Sequence, residues 1–244
     1  MLQPHLKIDT IEKYVILLSG DPEMEEIVLP YLEKVEQISD NKGYRTFRGK
    51  YKGIGVSVVS TGIGCPSAAI AIEELAPLRP NTIIRIGTCG GLLKEMNSGD
   101  IVIPYEAMCY DGTTKEYNPK ITKVKASKEV FNALSTAGQK LCVKYFTGVN
   151  RTHDVFYEPI KNFTKLSVEK LVTSEMECSA VFFVSRLRGI KSGAVLIVNT
   201  PEPPEEVAKN PSILYRLIDE NKVDLGREKA VKIALEAIRY LGLK

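Results

Sequence analysis

A length of 244 residues suits one large α/β domain, and 44% hydrophobic with 26% charged residues provides a sizeable core under a solvated surface. A net charge of +3, with Lys and Arg interspersed among Glu, gives no basic run of the kind that binds nucleic acid or a membrane surface. Five cysteines without a C-x-x-C pair and only two histidines argue against a disulfide framework or a metal site, so a reduced, cytoplasmic protein is expected.

Residues Met1 to Thr10 lack the apolar core of a signal peptide, and no apolar run approaches a membrane span. Tyr14 to Leu18 reads as a strand ending at Ser19-Gly20-Asp21-Pro22, and a helix is expected from about Glu23 to Val35. Arg45 to Tyr51 and Gly55 to Ser60 read as a hairpin around Lys52-Gly53. The turn Thr61-Gly62-Ile63-Gly64-Cys65-Pro66-Ser67 then opens an Ala/Ile/Glu/Leu helix that ends near Pro77. Strands follow at Thr82 to Ile86 and Asp100 to Tyr105, and the polar stretch Asp111 to Lys125 reads as loop. A helix from Ser127 to Cys142, a strand near Tyr145 to Val149, a helix from Met176 to Arg188 and a strand from Gly193 to Asn199 come next. A Pro/Glu-rich loop from Pro201 to Pro211 leads to a closing amphipathic helix, Gly226 to Tyr240, with Val231, Ala234, Leu235, Ile238 and Leu241 on one face. There is no internal repeat and no linker, so residues 1–244 are expected to form one α/β domain.

Arg85 stands inside the apolar run Ile83-Ile84-Arg85-Ile86, just before Gly87-Thr88-Cys89-Gly90-Gly91. A charge buried there needs a fixed anionic partner. A guanidinium beside a glycine turn that offers backbone N–H groups and a hydroxyl suits a phosphate or sulfate; the alternative is a structural Arg paired with a buried carboxylate.

Six motifs in register carry a family resemblance. They are Ser19-Gly20-Asp21-Pro22, Ser60 to Ser67, Glu73-Glu74-Leu75, Arg85-Ile86-Gly87-Thr88-Cys89-Gly90, Phe156-Tyr157 and Glu175-Met176-Glu177. In this order the chain resembles the nucleoside phosphorylases, the branch containing uridine phosphorylase and the hexameric purine nucleoside phosphorylases. Leu196-Ile197-Val198-Asn199 with its Pro/Glu-rich sequel, and Tyr110-Asp111-Gly112, are more similar to the uridine enzymes. The resemblance implies a three-layer α/β/α sandwich around a mixed central sheet, built of dimers and commonly a hexamer, with each active site near a dimer interface. It implies cleavage of a nucleoside by inorganic phosphate to a free base and ribose 1-phosphate, with no cofactor.

Residue by residue, the resemblance places phosphate at Gly20, Arg85 and Thr88, with Lys42 where a neighbouring subunit's Arg is usual. Lysine serves there as a point charge without the bidentate fork. Met24 stands where the family has another Arg, so Arg45, Arg48 and Arg151 are weighed as replacements, each against an ordinary surface or structural role. Glu177 is matched to the ribose hydroxyls and the electron-poor sugar, with Met176 under the ring. Because Glu175 and Glu177 are two residues apart, they are expected to face different ways, with only Glu177 in the pocket; the bland reading of both is charge complementing a helix dipole. His5 is matched to the ribose 5′-hydroxyl of the partner's site, whereas His153 is taken as structural. Phe156 is matched to the aromatic that stacks on the base, although an aromatic in such a context is more often core. Ile160 and Asn162 stand where uridine phosphorylase has its uracil-reading Gln and Arg, and Ile197 and Val198 complete the expected base pocket. Asn199 and Thr200 stand where the purine enzymes carry an Asp. A purine nucleoside or methylthioadenosine phosphorylase, and a nucleoside hydrolase or nucleoside-binding protein, remain as alternatives.

Overall fold

The computed structural model describes residues 3–19, 24–157, 170–210, 212 and 219–243. Within them the strands are β1 (Tyr14–Ser19), β2 (Glu33–Asn41), β3 (Tyr44–Tyr51), β4 (Ile54–Thr61), β5 (Thr82–Gly91), β6 (Ile101–Cys109), β7 (Lys123–Lys125), β8 (Tyr145–Thr152), β9 (Leu171–Glu175) and β10 (Lys191–Pro201). The helices are α1 (Met24–Val28), α2 (Cys65–Leu75), α3 (Gly112–Tyr117), α4 (Lys128–Lys140), α5 (Cys178–Leu187), α6 (Pro204–Lys209) and α7 (Glu220–Gly242).

The strands form one mixed sheet, ordered β10-β6-β8-β9-β5-β1-β4-β3-β2 with β7 on β6. Strand β10 also pairs with β5 in parallel over Lys191 to Pro201, so β10, β6, β8, β9 and β5 close on themselves while β1, β4, β3 and β2 extend from β5 as an open sheet. The expected α/β/α layering follows from side-chain alternation along the central strands. In β1, Val15 and Leu17 enter one core, with α2 and α5. Ile16 and Leu18 enter the other, with α4 and α7. Val231, Ala234, Leu235 and Ile238 of α7 are buried together, as the helical spacing predicts.

The expected helix over Glu23 to Val35 is corrected: α1 ends at Val28, a 3₁₀ turn covers Leu29–Tyr31, and β2 begins at Glu33. Pro30 lacks the N–H that a continuing helix requires, and β2 is an exposed edge strand whose polar sequence hides its alternation. Its turn does carry a signal. Lys42-Gly43 repeats the chemistry of Lys52-Gly53, and both pairs have φ near +50° followed by +81°, the geometry of a two-residue hairpin. The expected loop over Asp111 to Lys125 contains α3 and β7, and the Pro/Glu-rich loop contains α6. Asp111 caps α3 by accepting from the Thr114 N–H at 2.7 Å. Strands β5 and β6 run further than expected, to Gly91 and Cys109.

All five cysteines are free thiols. Cys65, Cys89, Cys109 and Cys178 are buried, while Cys142 is exposed just beyond α4. Among the described residues no helix is long and apolar enough to cross a membrane, and no group of three or more His, Cys, Asp or Glu could hold a metal ion.

Candidate active site

The site forms where β5 and β9 end, beside the N-terminus of α5 and the turn that opens α2. Arg85 is 1% exposed. Because residues two apart on a strand share a face, Arg85 lies alongside Gly87, and its guanidinium packs over that residue: a Cβ on Gly87 would sit 2.6 Å from Nη1 and 2.8 Å from Cζ and Nη2. The Nη2 group makes a short ion pair with the Glu177 carboxylate and lies 3.2 Å from Glu175 Oε2. Nε and Nη1 are buried without a hydrogen-bond partner among the described residues. Burial opposes the Arg85 charge, but Glu177 and Glu175 outweigh it and push the guanidinium above its ordinary value.

The two carboxylates do not face different ways. Glu175 is the last residue of β9 and Glu177 is the N-cap of α5, with φ −139° and ψ −25°. Positions two apart diverge only when both lie on one helix. Here Glu175 closes the strand and Glu177 merely caps the helix, so the expected divergence does not apply and both reach the same guanidinium nitrogen. Glu177 Oε1 also accepts from the Gly64 N–H at 2.6 Å. That donor belongs to a residue at φ +96°, a conformation in which glycine avoids the Cβ penalty. The Glu177 carboxyl is pushed up by burial and by Glu175, against the lowering effect of Arg85.

Glu175 is the most heavily bonded group here. Oε1 accepts from Asn150 Nδ2 and Thr152 Oγ1, each at 2.6 Å. Oε2 accepts from the backbone N–H groups of Glu177 at 2.8 Å and Cys178 at 2.9 Å. The buried network continues outward, with Ser179 N–H donating to Thr152 Oγ1 at 3.0 Å and Ser179 Oγ donating to Asp111 Oδ2 at 2.6 Å. Asn150 and Thr152 were not among the sequence candidates; small polar residues alternating along an apolar strand, Asn150-Arg151-Thr152, are the only sequence trace of them.

Thr88 is half-buried on the same strand as Arg85 and pairs in register with Ile197 of β10. Met176 is half-buried, and its carbonyl accepts from Cys65 Sγ at 3.2 Å. His5 lies on its own chain's α2: Nδ1 is 2.6 Å from Glu74 Oε1, and the imidazole meets the Tyr44 ring edge-on at 5.8 Å. Asn41 Nδ2 donates to the His5 carbonyl at 2.7 Å, which brings His5 together with the β2–β3 hairpin whose exposed turn holds Lys42. Within the chain neither is hydrogen-bonded or ion-paired to Arg85 or Glu177. Phe156 is not core: it is 59% exposed, edge-on to Tyr157 with ring centroids 5.1 Å apart. Ile197 and Val198 are fully buried, one in each core, so their side chains serve packing here. Half-buried Asn199 and Thr200 are the next residues of β10. Gly20, Ile160 and Asn162 lie outside the described residues.

Met24 is a core residue at the start of α1. Of the three arginines weighed as replacements for the missing cation, Arg48 pairs with Glu36 at the surface at 2.7 Å. Arg151 Nη1 donates to Ser174 Oγ at 3.3 Å, and its guanidinium lies 5.5 Å from the Tyr110 ring centroid. Arg45 Nε lies 3.1 Å from Glu25 Oε2. Arg45 also borders a cavity of about 480 Å³ with Asp40, Gly43, Ser60, Thr61, Gly62 and Ile63. His153 donates its backbone N–H to the Glu175 carbonyl at 3.0 Å.

The chain is similar to known phosphorylases over nearly its whole length. The Phosphorylase superfamily pattern matches residues 13–239. A uridine phosphorylase of Thermococcus kodakarensis is 33% identical, covering 98% of this chain and 87% of the relative. A guanosine phosphorylase of Halorubrum lacusprofundi is 30% identical, covering 98% of this chain and 99% of the relative. The crystal structure of purine nucleoside phosphorylase from Toxoplasma gondii in complex with immucillin-H superposes with a TM-score of 0.87 at 32% identity, covering 98% of this chain and 96% of that one. With a match of this extent around a buried arginine and two carboxylates, the chain belongs to the Phosphorylase superfamily.

Proposed function

We propose that the protein cleaves the N-glycosidic bond of a nucleoside with inorganic phosphate, giving a free base and ribose or deoxyribose 1-phosphate, in the manner of a uridine phosphorylase. The observation that carries this reading is Arg85, a fully buried cation whose Nε and Nη1 lack partners among the described residues while Nη2 holds Glu177. Orphaned buried donors are costly, and an oxyanion satisfies them. In this reading Arg85, Thr88 and Gly20 bind phosphate, and Glu177 accepts from the ribose hydroxyls and stabilises positive charge on the sugar as the bond breaks. Met176 lies under the sugar, and exposed Phe156 offers a face to the base. No cofactor is required.

The site is completed by a second copy of the chain, in a dimer-built assembly commonly reaching a hexamer. His5 and Lys42, held together on one subunit, serve the ribose 5′-hydroxyl and the phosphate of its neighbour. Free thiols, four of them buried, suit a reducing compartment such as the cytoplasm.

One observation favours a second reading of the base. Ile160 and Asn162 replace the residues that read uracil in uridine phosphorylase, which leaves a purine nucleoside as the other substrate class. Release of base from uridine, guanosine, inosine and adenosine, each with and without phosphate, tests both. Phosphate-dependent release from one nucleoside class is expected. Release at the same rate without phosphate makes the protein a hydrolase and refutes the proposal.

A further inference from the structure

Glu175 has no place among the substrate contacts proposed above, yet it accepts more hydrogen bonds than any other carboxylate of the site. Four donors besides Arg85 converge on it, at 2.6, 2.6, 2.8 and 2.9 Å. They come from β8 and from the first residues of α5, so the carboxylate is tied to two elements at once. Both of its oxygens are occupied by these donors. A carboxylate so held is a fixed negative charge beside the Arg85 guanidinium.

We propose that Glu175 is the positioning residue of this site, aiming the Arg85 side chain and the Glu177 main chain together, with Asn150 and Thr152 holding it in place. The inference rests on the phosphorolytic reading of Arg85 and Glu177. Its physical basis is a division of labour between two carboxylates on one cation. Among the described residues Glu177 is held by two groups, Arg85 Nη2 and the Gly64 N–H, so it is the partner that can be given up to a sugar. When it leaves, Arg85 keeps Glu175 and is not stranded as an unpaired buried charge, a loss that is strongly destabilising. The same carboxylate grips the Glu177 and Cys178 N–H groups, which fixes where the α5 N-cap, and hence Glu177, begins.

A structural role alone and a positioning role part company in kinetics. The groups that face Glu177 are Arg85 from β5, Glu175 from β9 and the Gly64 N–H ahead of α2. Glu175 raises the Glu177 carboxyl, so removing that charge lets Glu177 ionise at lower pH. In Glu175→Gln, KM for phosphate is expected to rise on the order of tenfold or more, the loss expected for a misaimed charged donor. The acid limb of kcat at saturating phosphate should move to lower pH. Thr152→Val keeps the charge but removes one donor; KM for phosphate should rise with the acid limb unmoved, and Thr152→Ser, which restores the hydroxyl, should recover wild-type KM.

Wild-type KM and an unmoved acid limb in folded Glu175→Gln would overturn the proposal. If that variant does not fold, the Thr152 pair decides: equal KM values for phosphate in Thr152→Val and Thr152→Ser overturn it. A wild-type enzyme that shows no phosphate-dependent cleavage refutes the functional reading instead, so the two failures are distinguishable.

Discussion

Replacing Gly87 with Ala tests whether the Arg85 guanidinium must lie where it does. Gly87 is not among the positive-φ glycines, so the strand backbone accepts alanine without strain. Gly→Ala at a compatible position stabilises by about 0.4–1 kcal/mol through the unfolded chain. The new methyl, however, would lie 2.6 Å from Arg85 Nη1. The guanidinium must retreat by about 0.8 Å to restore ordinary contact at 3.4 Å, and a displacement near 1 Å costs on the order of 10²-fold in rate. Steady-state kcat/KM for phosphate, measured beside a thermal melt, separates the two effects. The expectation is a folded protein with Tm close to wild type and kcat/KM for phosphate down about 10²-fold. Near-wild-type kcat/KM would refute the argument that the Arg85 position sets the rate.

Arg85→Ala should abolish phosphate dependence and also lower stability by about 3–5 kcal/mol, because two buried carboxylates lose their cation; phosphate titrations well below its Tm check the first effect and denaturant melts the second. Glu177→Gln should lose about 10²–10³ in kcat while staying folded, since a neutral amide does not stabilise positive charge on the sugar. Mixing His5→Ala with Glu177→Gln subunits should restore part of the activity, each mixed dimer regaining one site with both native residues; no recovery after proven subunit exchange means that His5 does not serve a neighbour. At Glu236, burial raises the carboxyl but hydrogen bonds from Lys52, Tyr51 and Arg239 prevail and bring it down to about 2. A carboxyl depressed on folding stabilises above its unfolded value near 4.3 and loses that contribution as pH falls toward the folded value. Glu236→Gln should therefore be less stable than wild type at neutral pH, with the difference shrinking below pH ~4 in a Tm series.

The α/β class is legible because central strands and the long helix carry clear periodicity, with β1, β5 and α7 rich in Ile, Leu and Val, whereas the three-layer arrangement came from the family resemblance. Polar or short elements lack that signal. Strand β2 exposes most of its residues, and β9, Leu171-Val172-Thr173-Ser174-Glu175, is too short and too polar at its end to show a strand pattern. At the site, Arg85 stands out because a charge in an apolar run demands a partner, and Glu177 because Glu175-Met176-Glu177 matches a motif of the family the chain resembles. That they partner each other was visible only in three dimensions, as was the role of Glu175, since no spacing rule covers two carboxylates that straddle the junction of a strand and a helix cap. The Arg85 alternatives posed from sequence prove compatible: the same side chain is paired with buried carboxylates and still has two donors unmet.

The distribution of thiols makes the native chain ready for spectroscopy. Burial pushes the Cys109 thiol up to about 11 and the Cys65, Cys89 and Cys178 thiols higher as well, so these four resist a maleimide near neutral pH, where reactivity follows the thiolate. Cys142 stands alone at the surface beyond α4. One fluorophore per chain therefore attaches without any cysteine replacement, and mixed donor- and acceptor-labelled batches test the proposed association of chains by energy transfer.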